Sequence, residues 1–223
     1  MDDLQERLLE DTSFLVIDFE TVTPKGIPPE PIELGILRIN NGYEIDYQSG
    51  KSTFIKPPVG IHLTSFDTVQ TGITEKDLVD SPNSVEIMKR LDRVCGQKEY
   101  IFIAQNAKYE ANIISRYVEE NPNLAKTKFI DTILLAKNVV PGLANYKLDT
   151  IVGFLSIEPS KDRHRALPDC ILTAQVFVKL LELTNKKKKI TFIRELLEIC
   201  EIQAKHSTLD KRAIPKQISI FDI

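Results

Sequence analysis

The first part of the chain sets short apolar runs between polar turns. Phe14-Leu-Val-Ile17 is an apolar run ending at Asp18 and reads as a buried strand. Pro24, Pro28, Pro29 and Pro31 mark an extended loop. Ile32 to Ile39 predicts a second strand, Asn40-Asn41-Gly42 a tight turn, and Tyr43 to Lys56 a third strand closed by Pro57-Pro58. Strands joined by short turns predict an antiparallel meander.

Further along, the apolar positions move to helical spacing. Ser84 is placed to cap a helix running to Cys95, with Ile87, Leu91 and Val94 on one face and Gly96 as its stop. Tyr100 to Ala104 predicts a fourth strand, and Ala107 to about Glu119 a helix striped by Ile113, Ile114 and Tyr117. Phe129-Ile130 reads as a short fifth strand leading into a helix over Thr132 to Lys137. Leu148 to Leu155 and Pro168 to Leu183 read as helices too. A meander followed by alternating helices and strands predicts an α/β domain, with helices on both faces of a mixed five-stranded sheet. That domain is expected over residues 1–183. The lysine run Lys186 to Lys189, a helix-like segment from Ile190 to His206 and a polar end are expected to form an accessory helical and extended tail over residues 184–223.

Composition narrows the partners more than the fold. The 223 residues carry a net charge of only −3, so no strongly basic face is available to grip a long duplex, and any hold on nucleic acid must be local. Cys95, Cys170 and Cys200 form no C-x-x-C pair and sit in apolar helical patterns, which predicts buried thiols rather than a disulfide framework. That usage suits a reducing cytoplasm. The acidic start, Met1 to Asp11, has no apolar signal core, and no run is long enough to span a bilayer, so no membrane partner is expected.

Three constellations carry candidate chemistry. Asp18 and Glu20 are two apart on the first strand and therefore share a face. Two carboxylates on one face of an apolar sheet are costly unless something neutralises them, and their hard oxygens suit magnesium or manganese. Taken alone, Asp-x-Glu is common and reads better as a pair of solvated acids at a strand end. Asn106 and Glu110 follow the fourth strand, where the first could be an ordinary cap and the second an acid favoured by a helix start. His164 lies on a loop with Lys161, Arg163 and Arg165, ahead of Asp169. Pro168 favours a helix start there, and a histidine of near-neutral pKa suits a general base, although a lone histidine in such a loop reads more readily as a surface residue.

In order and spacing, these segments resemble the three exonuclease motifs of the DEDDh family, the group of the epsilon proofreading subunit of bacterial DNA polymerase III, RNase T and oligoribonuclease. The first motif matches at Phe14 to Thr21, the third at His164 to Asp169, and Glu33-Leu-Gly35, Thr71 to Thr74, Asp131-Thr132 and Leu148-Asp149 lie between them. The resemblance covers about Phe14 to Leu183 and implies an RNase H-like fold. It also implies a two-metal 3′–5′ exonuclease acting on single-stranded DNA or RNA 3′ ends and releasing nucleoside 5′-monophosphates. Asp18, Glu20, Glu110 and Asp169 would hold two magnesium or manganese ions, His164 would deprotonate the attacking water, and Thr21, Val22 and Asn106 would meet the substrate. The family's second motif usually reads His-Asn-Ala-x-Phe-Asp, whereas this chain has Gln105-Asn-Ala-Lys-Tyr-Glu110. The glutamate is one methylene longer than the usual aspartate. A catalytically weakened nucleic-acid-binding or clamp-tethered module is therefore an alternative, as is an RNA-trimming exoribonuclease of the same family.

The tail has its own resemblance. Gln217, Ile218, Ser219, Ile220 and Phe221 are similar to the pentapeptide by which bacterial replication and repair proteins dock on the sliding clamp. Folding back of these apolar residues onto the domain is the other reading.

Overall fold

The computed structural model describes residues 6–159 and 164–202. The clamp-like peptide Gln217 to Phe221, and Lys161 and Arg163 of the basic loop, lie outside the described residues.

Strands β1 (Phe14–Val22), β2 (Glu30–Ile39) and β3 (Ile45–Phe54) form the expected antiparallel meander. Parallel pairing of β4 (Ile101–Ala104) with β1, and of β5 (Phe129–Asp131) with β4, extends the sheet from its other side. A sixth strand, β6 (Glu201–Ile202), adds antiparallel to β5, giving the order β3-β2-β1-β4-β5-β6. Five strands were expected; the sixth has two residues, too short for any period of alternation to mark it.

The helices are α1 (Ser65–Thr71), α2 (Glu75–Leu78), α3 (Ser84–Gln97), α4 (Lys108–Ser115), α5 (Thr132–Val139), α6 (Leu148–Phe154), α7 (Ala166–Lys187) and α8 (Ile193–Cys200). The cap of α3 is Asn83, whose side chain accepts the Glu86 N–H, rather than Ser84, and the helix runs on through Gly96. α4 is shorter than its apolar stripe suggested: it ends at Ser115 and hands over to a 3-10 turn at Val118–Glu120. Short helices α1 and α2, each with a Thr-Asp capping box, flank the Thr71 to Thr74 segment. Their sequences carry no apolar stripe long enough to reveal them.

Strand alternation sorts the core into two layers. Phe14 and Val16 of β1, Leu37 and Ile39 of β2, and Ile101 and Ile103 of β4 face α5, α6, α7 and α8. Leu15, Ile17 and Phe19, with Leu34 and Phe102, face α3 and α4. On the first side, Phe14 meets Phe177 of α7 edge-to-face at 5.1 Å, and the buried Cys170 thiol points at the Val16 carbonyl.

Residue 183, the expected end of the domain, lies within α7. Beyond it, Ile190, Ile193, Leu196, Leu197 and Cys200 are buried in the same cluster as Phe14 and Phe177. The N-terminal segment clamps this part: Arg7 O accepts Ile193 N–H at 3.0 Å, Leu9 N–H donates to Thr191 O at 2.9 Å, and Arg194 pairs with Glu6 at 2.6 Å. As far as Ile202 the expected tail is thus part of the packed body.

Leu196→Ala is accordingly expected to destabilise the whole domain by about 2–5 kcal/mol, as for a large-to-small change in a core. Urea denaturation followed by circular dichroism checks it. An unchanged midpoint would mean that α8 is an appendage.

Candidate active site

Positions 14, 16, 18 and 20 of β1 share one face. The first two pack under α7, and the next two emerge where the strand runs past the helix start. Asp169 lies in the first turn of α7. Asp18, Glu20 and Asp169 each place a carboxylate oxygen within 4.8 Å of the others. Three like charges so close repel strongly, and divalent cations are the usual compensation.

Glu110 arrives from the opposite layer, in the first turn of α4. It is only 3% exposed, and its Oε2 has no hydrogen-bond partner. Burial first, and then repulsion from Asp18 and Asp131, raise its carboxyl well above the ordinary range. Glu110 is not within the group of three, but a buried acceptor without a partner that feels the charge of Asp18 fits a metal-binding donor set.

The turn that delivers Glu110 is held by Asp131. This buried carboxylate accepts the Ile133 N–H at 2.7 Å as the cap of α5, and also backbone N–H groups of Asn106 and Ala107. Asn106 stands in the left-handed region with φ 64°, exposed, and the capping position of α4 is Ala107. Across the site Thr21 shares a hydrogen bond with the Tyr109 hydroxyl at 2.5 Å, while Val22 is buried.

His164 is exposed, two residues before α7, with φ 61°. Its neighbour Arg165 is anchored on Glu33 of β2. The guanidinium donates from Nε and Nη2 at 3.0 Å each, Ala166 N–H adds a bond at 3.2 Å, and the Ser52 hydroxyl a further one. Burial alone would raise the Glu33 carboxyl, but the bonds from Arg165, Ser52 and Ala166 outweigh it and hold it below the ordinary range. Gly35 completes the contact: a Cβ there would lie 2.5 Å from the Ala166 carbonyl carbon. Nothing in the sequence pairs Glu33-Leu-Gly35 of β2 with Arg165 of the loop before α7. An acid inside the apolar run Ile32 to Ile39 was the available signal.

Comparison with known proteins bears on this geometry. The profile of the Exonuclease family, RNase T type, matches residues 15–177. The chain belongs to this exonuclease family. DNA polymerase III subunit epsilon of Aquifex aeolicus is 30% identical over 188 residues, covering 80% of this chain and 85% of that protein. DNA polymerase III PolC-type of Caldanaerobacter subterraneus subsp. tengcongensis is 30% identical over 194 residues; the match covers 86% of this chain but spans only 13% of the length of that polymerase. In fold, the chain is similar to the nuclease domain of 3′hExo, a DEDDh family member bound to rAMP. The TM-score is 0.66 at 20% identity, over 76% of this chain and 92% of that one. It is also similar to exonuclease X in complex with 5′ overhanging duplex DNA, with a TM-score of 0.62 at 20% identity, over 83% and 98% of the two chains. Among the described residues no helix is long and apolar enough to cross a membrane.

Two substitutions test the anchor. Gly35→Ala should push the start of α7 off β2 and lower both stability and turnover. Glu33→Gln keeps the shape and removes the charge. Because the folded pKa of Glu33 is depressed, its contribution is present above the unfolded carboxylate pKa and is lost as pH falls through the folded one. The stability advantage of the parent over Glu33→Gln should therefore be full at neutral pH and vanish in acid. Paired urea melts across pH measure it, and a pH-independent difference would sink the assignment.

Proposed function

We propose that this exonuclease removes nucleotides from the 3′ end of single-stranded DNA in a proofreading or repair setting, releasing nucleoside 5′-monophosphates. The observation that carries the reading is the convergence of Asp18, Glu20 and Asp169; Glu110 lies outside that group of three but is close enough for Asp18 to repel it, and its Oε2 has no partner. In this reading the four carboxylates hold two divalent cations, magnesium or manganese. Bound there, the cations supply the charge that draws the carboxylates together and offsets charge developing on the attacking and leaving oxygens of the scissile phosphate.

The protein's own groups do the rest. His164, exposed and beside the anchored Arg165, takes the proton of the attacking water. Thr21 and Val22 border the terminal nucleotide through backbone groups, and Asn106 meets the strand from the other side. The names of the replicative relatives support DNA as substrate. Glu110 bears on the weakened-module alternative too: its buried Oε2 has no hydrogen-bond partner, and a cation in the site would give it one.

Turnover of a labelled single-stranded oligonucleotide with magnesium or manganese tests the proposal. Either metal should also raise the melting temperature, more at alkaline than at acid pH, because Glu110 must give up its proton to bind. Asp18→Asn should abolish turnover and most of that shift. His164→Ala should slow turnover by about a hundredfold or more yet keep the shift. Parent-level turnover in Asp18→Asn would refute the site. Label released from the 5′ end first would refute the polarity.

A further inference from the structure

We propose that the cavity between the β4–α4 turn and the segment leading into α6 is a second nucleic-acid subsite, holding the sugar-phosphate backbone of the single strand just upstream of the scissile bond. The proposal rests on the exonuclease reading above. An enzyme that cuts at a 3′ end has continuing strand only on the 5′ side of the cut.

The cavity holds about 500 Å³, the size of ordinary ligand pockets. Its floor is Gln105 and Asn106, of the turn that leads into α4 and Glu110. Gln105 builds that floor: its Nε2 donates to Tyr146 O at 2.8 Å, and its Oε1 accepts from the Thr132 hydroxyl. One side chain thereby ties the turn, the start of α5 and the approach to α6 together.

The walls suit a phosphodiester strand. Lys137 of α5 and Lys147 ahead of α6 line the cavity, both exposed, and neither is in an ion pair among the described residues. The Lys137 ammonium stands 5.6 Å from the centre of the Tyr146 ring, whose hydroxyl is fixed by Val140 O and Gly142 N–H at 3.2 Å. In a chain of net charge −3, two ammonium groups on one cavity, neither in an ion pair among the described residues, form a local attraction for anions in an otherwise acidic protein. Ile133 and the Tyr146 ring add apolar surface for sugar and base.

Binding and kinetics test this together. A fluorescent hexanucleotide is titrated against the Asp18→Asn protein, with and without Lys137→Ala and Lys147→Ala, across a series of salt concentrations. For single strands each neutralised phosphate contributes about 0.7 to the slope of log affinity against log salt, so losing both lysines should flatten it by about 1.4 and weaken binding roughly tenfold at low salt. In the protein carrying Asp18, KM should fall as the substrate lengthens from a dinucleotide to a hexanucleotide, and the double variant should lose that fall. Parent-like salt slope and length dependence in the double variant would overturn the proposal. If the unmutated protein releases nucleotides under neither metal, the exonuclease reading fails separately, and the titration still supports or overturns the groove.

Discussion

α7 starts in contact with the backbone of β2, where a side chain at Gly35 would strike Ala166. The rest of the site depends on this contact. Gly35 is the cross-strand partner of Asp18, and Glu33 that of Glu20. Seating Ala166 on Gly35 therefore sets the first turn of α7, and Asp169 with it, over the two acids of β1. The fork from Arg165 to Glu33 fixes the same register electrostatically and offsets the repulsion that Glu33 would otherwise exert on Glu20. Further along the helix, Cys170 against Val16 and Phe177 against Phe14 prevent the helix from sliding to relieve the repulsion among its carboxylates. The strain of the cluster is held in place by packing.

Glu110 belongs to the other layer. Asp18, Glu20 and Asp169 sit on the α7 side of the sheet, while α4 packs on the opposite side with Ala111, Ile113 and Ile114. Glu110 comes within electrostatic reach of Asp18 because β4 is short and ends at Ala104, letting the chain turn at Gln105 and Asn106. The left-handed conformation of Asn106 makes that turn, and asparagine tolerates it better than most residues.

Much of this was legible in the residues. The apolar run Phe14 to Ile17 gave β1, strand geometry the shared face of Asp18 and Glu20, and similar short apolar runs the meander and the existence of β4 and β5. Illegible parts had physical reasons. β6 is too short to show a period, and α8 reads as an amphipathic helix whether it packs on the domain or stands apart; only contacts of Ile193 and Leu196 decide that. The pairing of Glu33 with Arg165 joins residues far apart in sequence, and charge alone cannot say which of several basic residues in that loop it selects. Asn83 and Ser84 are both competent caps, and the side-chain bond to Glu86 is what separates them.

The longer acid at position 110 has a structural consequence that the motif does not reveal. How far its carboxyl reaches depends on where α4 begins, and that is set by Asp131, which gathers backbone N–H groups from Asn106 and Ala107 on one turn and from Ile133 and Leu134 on the next. Asp131 thus ties the height of α4 to the end of β5. Gln105 repeats the tie from the other side through Thr132 and Tyr146. With the turn pinned at both ends, an extra methylene in residue 110 moves the carboxyl and leaves the backbone where it is. The position of Glu110 relative to Asp18 is then a property of the β5–α5 junction as much as of α4, and the geometry of the carboxylate cluster depends on both halves of the core.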